Sequence, residues 1–266
     1  MDTEIDAIIV SEPGGKGTTG IFPERLTLEG RPLSIQTVRN FLENGDRLSL
    51  PIEGDGVMSW WSAPKLNGIY LYNYLTKEGF RVGLVNKYFR EKEAFRALLA
   101  KNPRAVVIST TFIRNRHSLH ELISDIRSLA PGVTIIAGGS FVYLSYLVLQ
   151  RSNEPGYLTE GAREDLLFFN GDDPPVDRYI VSLTGEQSLS ETLRRIVRGG
   201  STDSVPNTAA FANGQYAFSR RVDDIGRAGE AVIDWKALPD EVFSSGVVPV
   251  QTSKGCPYRC AFCNFV

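Results

Sequence analysis

The sequence predicts an α/β protein whose main unit is a doubly wound, flavodoxin- or Rossmann-like parallel sheet. Two observations predict this fold class. Strand-like and helix-like segments alternate along residues 1–200, which is the order expected of a parallel sheet with crossover helices. The strand-like segments are also apolar throughout rather than at every second residue, as in sheets that helices cover on both faces.

Five strands and four helices follow from these patterns. The first helix repeats apolar side chains at helical spacing, and Gly79 stands where a C-terminal cap is expected. We expect these elements to form one domain over residues 1–200. The predicted strands cover residues 6–10, 81–85, 105–109, 133–139 and 177–183, and the predicted helices cover residues 65–80, 91–103, 118–132 and 187–200.

The pattern changes after residue 200. Residues 201–246 predict a two-strand hairpin and then a polar connector with an apolar anchor at residues 233–235. The hairpin is predicted to turn at Asn213-Gly214, because this pair is typical of two-residue hairpin turns. We expect a further domain to begin at residue 247, where a β-branched segment runs to residue 252.

The composition excludes several classes of function. Lys and Arg number 29 against 31 Asp and Glu, for a net charge of −2 without a basic block, which argues against a nucleic-acid partner. No run approaches the roughly 18 apolar residues of a membrane helix, and the N-terminus has no signal-peptide pattern. Three cysteines form no even disulfide framework, so we expect a reducing, cytoplasmic location and no membrane partner.

Small polar residues follow three of the predicted strands. In doubly wound sheets, ligands bind beyond the carboxyl ends of the strands, where glycines admit a bulky group and hydroxyls bond its polar edge. Any one of these segments could be a simple turn, but three at the same edge favour a pocket. There is no G-x-x-x-x-G-K-[ST] phosphate loop. The segments are Ser109-Thr110-Thr111, Gly138-Gly139-Ser140 and Thr184-Gly185-Glu186.

All three cysteines lie near the C-terminus with the spacing C-x3-C-x2-C, at Cys256, Cys260 and Cys263. Three thiolates this close can hold one metal centre. Structural zinc sites use four ligands, and the two histidines, His117 and His120, lie far upstream. A four-iron cluster usually has four cysteines, so three would leave one iron open to another ligand. A chance cluster of buried thiols is the alternative.

The segment CPYRCAFC resembles the cluster-binding loop of the radical S-adenosylmethionine (SAM) superfamily, C-x3-C-x-aromatic-C. The resemblance implies that Cys256, Cys260 and Cys263 bind a 4Fe-4S cluster whose open iron chelates SAM. It also implies that Phe262 lies against the adenine of SAM. VVPVQTSKGCP, directly before it, is similar to the first strand of the family's barrel, so residues 247–266 resemble the start of an incomplete (β/α) barrel.

Most of residues 5–200 resemble the cobalamin-binding domain that precedes the barrel in one branch of this superfamily. The likeness rests on PKLNGIYLYNYLTKEGFRVGLV, NPRAVVISTTF, PGVTIIAGGSF and SLTGEQS, and it implies that the three strand-end segments bind cobalamin. No Asp-x-His-x-x-Gly motif follows the first strand, which implies cobalamin without a histidine on the lower face of cobalt. His117 is the alternative ligand, and we expect His120 at the surface.

These resemblances imply the front part of a cobalamin-dependent radical SAM enzyme, most simply a methyltransferase. It would act on an unactivated carbon by way of a 5′-deoxyadenosyl radical and methylcobalamin. The substrate would be a small molecule or a peptide, and flavodoxin or ferredoxin would donate electrons. A barrel needs on the order of 200 residues beyond its first strand. We therefore expect this chain, truncated just after the cysteine loop, to be inactive alone.

Three other functions remain open. The enzyme could close or rearrange rings instead of transferring a methyl group. The chain could be a stand-alone cobalamin carrier or sensor with a vestigial cysteine loop. It could also be a nucleotide-type α/β binding domain with a C-terminal metal knuckle.

Overall fold

The computed structural model describes residues 4–14, 27–28, 31–32, 63–157, 159–163, 165–223, 232–243 and 248–250. Its strands are β1 (Ala7–Glu12), β2 (Thr27–Leu28), β3 (Arg31–Pro32), β4 (Val82–Lys87), β5 (Ala105–Ser109), β6 (Thr134–Gly138), β7 (Arg178–Ile180), β8 (Thr208–Ala212) and β9 (Gln215–Phe218). Its α-helices are α1 (Leu66–Lys77), α2 (Lys92–Leu99), α3 (Arg116–Leu129), α4 (Ser140–Arg151) and α5 (Glu186–Val197). Short 3-10 turns occupy Glu160–Ala162, Trp235–Ala237 and Asp240–Phe243.

The described strands form one seven-stranded sheet and a separate two-stranded ribbon. The strand order of the large sheet is β4-β1-β5-β6-β7-β8-β9, and β2 pairs with β3. The five strands β4, β1, β5, β6 and β7 are parallel, whereas β8 and β9 run antiparallel to their neighbours. The parallel part has the doubly wound order of flavodoxin-like proteins, with its switch point between β1 and β5. The predicted fold class is confirmed for this part of the chain.

Apolar clusters cover both faces of the sheet, which explains the continuously apolar strands. Residues 7–10 of β1 and all five residues of β5 are buried. One cluster joins the sheet to α2, α3 and α4, and the other joins it to α1 and α5. A parallel sheet covered in this way needs apolar side chains at successive positions, since each face has its own core.

The sequence missed one helix and one part of the sheet. α4 begins directly after Gly139, in a segment whose sequence predicts only a polar strand end. The predicted hairpin is present, with Asn213 and Gly214 at φ 53° and 84°, as a tight turn of this kind requires. Instead of standing apart, the hairpin extends the main sheet, because β8 pairs with β7.

The connector docks on the outer side of α1. The Asn73 side chain donates to the Val232 carbonyl over 3.1 Å and accepts from the Asp234 amide over 2.9 Å. Leu238 and Val242 bury their side chains with Ile69, whereas Ile233 and Trp235 of the predicted anchor pack against this cluster only partly buried. Residues 248–250 are outside any strand, and the rest of the predicted barrel strand and the cysteine loop lie outside the described residues. Within the described residues, no helix has the length and apolarity to cross a bilayer.

A close contact at Gly68 fixes α1 against β1. A Cβ atom at this position would lie 1.6 Å from Ser11 Oγ and 2.6 Å from Ser11 Cβ. Ser11 is fully buried and stands near the carboxyl end of β1. Glycine therefore lets the first turn of α1 approach this end of the sheet more closely than any other residue would.

We predict that Gly68→Ala lowers the free energy of unfolding by about 1–3 kcal/mol, the usual cost of overpacking. Alanine is the better helix former by roughly 1 kcal/mol, so a loss of stability would isolate the contact with Ser11. Urea unfolding followed by circular dichroism measures the difference.

Gly132→Ala is the matched control, because a Cβ atom there meets nothing within 4 Å. We expect it to leave stability unchanged or to raise it slightly. Equal stability of the two variants would show that the Gly68 contact is not tight in solution.

Candidate functional site

A cleft opens at the carboxyl ends of β5, β6 and β7, between α1 and the start of α5. It contains about 590 Å³ of empty space, part of it open to solvent. Its floor is apolar and is formed by Val107, Ile136, Ile180 and Leu189. Its polar lining, here called the rim, consists of Asn67, Ser109, Thr111 and Ser182. An apolar base with a few polar groups at the edge is the usual composition of a small-molecule site.

The structure brings most of the predicted strand-end residues to this cleft. Six of the nine line it: Ser109, Thr111, Gly138, Gly139, Gly185 and Glu186. Thr110, Ser140 and Thr184 are outside the lining that the described residues form. Parallel strands place their carboxyl ends at one edge, so segments about 30 and 45 residues apart meet in one cleft.

Thr110 stabilises the cleft from below instead of lining it. Its side chain is fully buried. Its hydroxyl donates to the Gly138 carbonyl over 2.9 Å, and its amide donates to the same carbonyl over 2.7 Å. The hydroxyl also accepts from the amide of Val142 over 3.4 Å, in the first turn of α4. Thr110 thus ties the ends of β5 and β6 to the helix that follows.

Two glycines of the cleft are required by the local geometry, one by its backbone conformation and one by close packing. Gly139 has φ 117°, a conformation that residues with a side chain rarely adopt. A Cβ atom there would also lie 3.2 Å from the Thr110 amide nitrogen. At Gly185 a Cβ atom would lie 2.5 Å from Ile180 Cγ2, so glycine lets the start of α5 approach β7.

Asn67 is a residue of the site that sequence reasoning missed. Its Nδ2 donates to the Ser11 carbonyl over 3.0 Å and to Ser109 Oγ over 2.6 Å. A carbonyl only accepts, so the orientation of the Asn67 amide is fixed by this contact. The Ser109 hydroxyl accepts from Asn67, so its own proton is available for Thr111 Oγ1, 3.3 Å away, or for a ligand. The sequence offered one signal for this residue, namely an amide side chain in the first turn of a helix that begins near the switch point of the sheet.

The described lining of the cleft contains few ionisable groups. Glu186 and Tyr70 are the ionisable side chains among its described lining residues. Within the part of the chain that is described, no group of three or more His, Cys, Asp or Glu is placed to hold a metal ion. The predicted cluster ligands Cys256, Cys260 and Cys263, and Phe262 with them, lie outside the described residues.

Both histidines lie away from the cleft. His117 and His120 are exposed on α3. The buried side chains of α3, among them Leu119 and Leu122, belong to the apolar cluster on the opposite face from α1 and α5. Neither histidine lines the cleft.

Comparison with known proteins identifies the central part of the chain. Residues 63–165 match the family described as the B12 binding domain. This match covers α1 through α4, including the Ser109 and Gly138–Gly139 segments of the cleft. This part of the chain is therefore similar to B12-binding domains, in agreement with the resemblance found in the sequence.

Two of the solved structures that resemble the chain are of TsrM, a radical S-adenosylmethionine methyltransferase from Kitasatospora setae. The one described with cobalamin and a [4Fe-4S] cluster bound has a TM-score of 0.42, 14% identity and coverage of 85% of this chain. The one with a tryptophan substrate and a SAM analogue bound has a TM-score of 0.40, 14% identity and coverage of 80%. In both cases this chain spans 30% of the length of that protein. No curated protein sequence matches the chain.

We predict that neither histidine coordinates cobalt when the protein binds cobalamin. The electron paramagnetic resonance spectrum of the Co(II) form should be the same for the wild type, His117→Ala and His120→Ala, because both imidazoles project from a helix on the other face of the sheet. Nitrogen hyperfine splitting that disappears in His117→Ala would contradict this geometry.

Proposed function

We propose that this chain is the N-terminal part of a cobalamin-dependent radical SAM enzyme that transfers a methyl group to an unactivated carbon. The observation that carries the proposal is a B12 binding domain with a cleft at its carboxyl edge, followed on the same chain by C-x3-C-x2-C. A small molecule or a peptide would be the substrate. A reducing compartment such as the cytoplasm would suit the thiolates.

The chemistry of the cleft fits cobalamin. The nucleotide tail of cobalamin ends in a flat aromatic base, and its corrin ring carries amide side chains. The apolar floor at Ile136 and Leu189 suits the flat base, and the hydroxyls of Ser109 and Thr111 suit polar edges. Gly138 and Gly139 leave the cleft without side chains between these two regions. When bound, cobalamin would supply the methyl group to be transferred.

The described residues would bind and orient the cofactor. The Asn67 amide holds the Ser109 hydroxyl in place, and Ser109 can then donate its proton to an acceptor on the ligand. α5 begins at the cleft with Glu186, so its N-terminal amides face the same space. Thr110 keeps this edge rigid through its two bonds to Gly138. Preorganised groups of this kind reduce the ordering cost of binding.

The cysteine loop would supply the second half of the reaction. Three thiolates suit an iron–sulfur cluster, and the remaining open iron would bind SAM. Phe262 would lie against the adenine of SAM. An electron donor such as flavodoxin or ferredoxin would reduce the cluster.

We predict that the chain retains hydroxocobalamin through gel filtration and that Thr111→Trp weakens its binding at least about tenfold, a loss of ~1.4 kcal/mol. Thr111 is exposed on the cleft wall, so an indole there would occupy the space of the ligand without disturbing the core. The visible spectrum of the bound cofactor provides a titration.

Thr111→Ser is the matched control, because it keeps the hydroxyl and adds no volume. We expect it to bind as the wild type does. Wild-type protein that releases all its cobalamin during gel filtration would rule out the proposed function.

We predict that replacing Cys256, Cys260 and Cys263 together with alanine removes the cluster and SAM cleavage but not cobalamin binding. The reason is that the described lining residues of the cleft lie between positions 67 and 189, far from the loop in sequence. The comparison needs a form of the protein that continues into a complete barrel. Anaerobic reconstitution should load about four irons per chain in the unchanged protein, as the cluster type requires.

Two results would contradict the radical part of the proposal. One is SAM cleavage that persists in the triple variant. The other is one zinc per chain at this site under iron-replete, anaerobic conditions. Cobalamin binding with either result would favour the carrier or sensor function.

A further inference from the structure

The helix α1 contacts both the cleft and the connector, on different faces. Asn67, Tyr70 and Leu71 line the cleft. Ile69 and Asn73, which lie four residues apart and so share another face of the helix, contact the connector. A ligand of the cleft and the connector therefore act on the same rigid element.

Asn73 is the polar group that fixes the connector to α1. Its side chain is buried, with 3% of the residue exposed. Its Nδ2 donates to the Val232 carbonyl over 3.1 Å, and its Oδ1 accepts from the Asp234 amide over 2.9 Å. The Lys77 ammonium donates to the same Val232 carbonyl. Only a side-chain amide offers a donor and an acceptor in this arrangement, so the contact fixes the orientation of the connector backbone.

Apolar packing completes the contact between α1 and the connector. Leu238 and Val242 are buried with Ile69, and Leu84 of β4 packs against the same cluster. Ile69 is only 1% exposed, so loss of the connector would bring a core side chain into water. The connector thus belongs to the folded domain, although the match to the B12 binding domain ends at residue 165.

We propose that Asn73 is a positioning residue that couples the cleft to the connector, so that a ligand in the cleft and docking of the connector stabilise each other. The ligand orders α1 from the cleft side, and the connector orders it through Asn73 and Ile69. Two partners that order the same element bind more tightly together than apart. The identity of the ligand as cobalamin rests on the proposed function.

The coupling has a consequence for the cysteine segment. The connector precedes the residues that carry Cys256, Cys260 and Cys263. An occupied cleft would therefore hold the start of this segment more firmly than an empty one. Couplings between two sites usually amount to about 5- to 150-fold, and they are reciprocal.

Limited trypsin digestion of the full chain measures the docking. Lys236 is exposed in a 3-10 turn of the connector, and cleavage after it requires the docked segment to open. Arg221 is also exposed, beside Tyr146 of the apolar cluster on the opposite face of the sheet, and it serves as the internal control. Mass spectrometry follows both cleavage rates with and without saturating hydroxocobalamin.

Two variants change the docking. Asn73→Ala removes both hydrogen bonds. Asn73→Asp keeps the shape of the side chain but places a carboxylate oxygen, which only accepts, against the Val232 carbonyl, so the connector should leave α1. Asn153→Ala is the matched control, because Asn153 is exposed just after α4. Circular dichroism checks that each variant is folded.

We expect cobalamin to slow cleavage at Lys236 at least about fivefold more than at Arg221, in the wild type and in Asn153→Ala. Asn73→Ala should raise the rate at Lys236 on the order of tenfold, as the loss of two hydrogen bonds implies, and should lose most of this protection. Asn73→Asp should bind cobalamin at least about fivefold more weakly, because the coupling is reciprocal. A merely structural role of Asn73 would change the cleavage rate but neither the protection nor the affinity.

Two results would overturn the inference. The first is wild-type protein, saturated with cobalamin, in which Lys236 is protected no more than Arg221. The second is unchanged cobalamin affinity in Asn73→Asp when cleavage at Lys236 shows that the connector has left α1. If Asn73→Asp does not fold, the protection in the wild type and in Asn73→Ala decides. Wild-type protein that binds no cobalamin ends both the proposed function and the inference, whereas bound cobalamin without selective protection ends the inference alone.

Discussion

The contact between Gly68 and Ser11 determines how the carboxyl edge of the sheet is built. It brings the first turn of α1 against the end of β1 with no side chain between them. The residues that flank Gly68 then reach different neighbours. Asn67 bonds to the ends of β1 and β5, whereas Ile69 packs against the connector. The close approach of α1 to β1 therefore positions Asn67 in the wall of the cleft. It also positions Ile69 against the connector that follows the domain.

The opposite wall depends on hydrogen bonds rather than on close packing. Thr110 holds the Gly138 carbonyl through its amide and its hydroxyl, so the ends of β5 and β6 cannot separate without breaking both bonds. This arrangement leaves Gly139 in a conformation that excludes side chains, directly at the cleft. Thr110 thus makes this edge of the sheet rigid, and Gly139 leaves the edge without a side chain. Both properties suit a site that binds a large preformed ligand.

The sequence predicted the parts of the structure that depend on local patterns. β5 is an uninterrupted apolar run, and Asn213-Gly214 specifies its turn by φ preference alone. α4 was missed because its start, Gly139-Ser140, looks like a loop when the tight packing around it is unknown. Asn67 was missed because its partners, Ser11 and Ser109, are distant in sequence. The cysteine loop, predicted from spacing and resemblance, stays a prediction because it lies outside the described residues.

The distribution of charge along this edge restricts what the domain can bind. The β5–β7 side offers an apolar floor with hydroxyl groups, and the β1–β4 side carries the ion pair of Lys65 and Glu12. A nucleoside triphosphate would bring several charges, and the chain has no Gly-rich phosphate loop to receive them. A large molecule with a flat apolar group and many amides matches this apolar floor and its hydroxyl groups, which favours cobalamin over a nucleotide as the ligand of this domain.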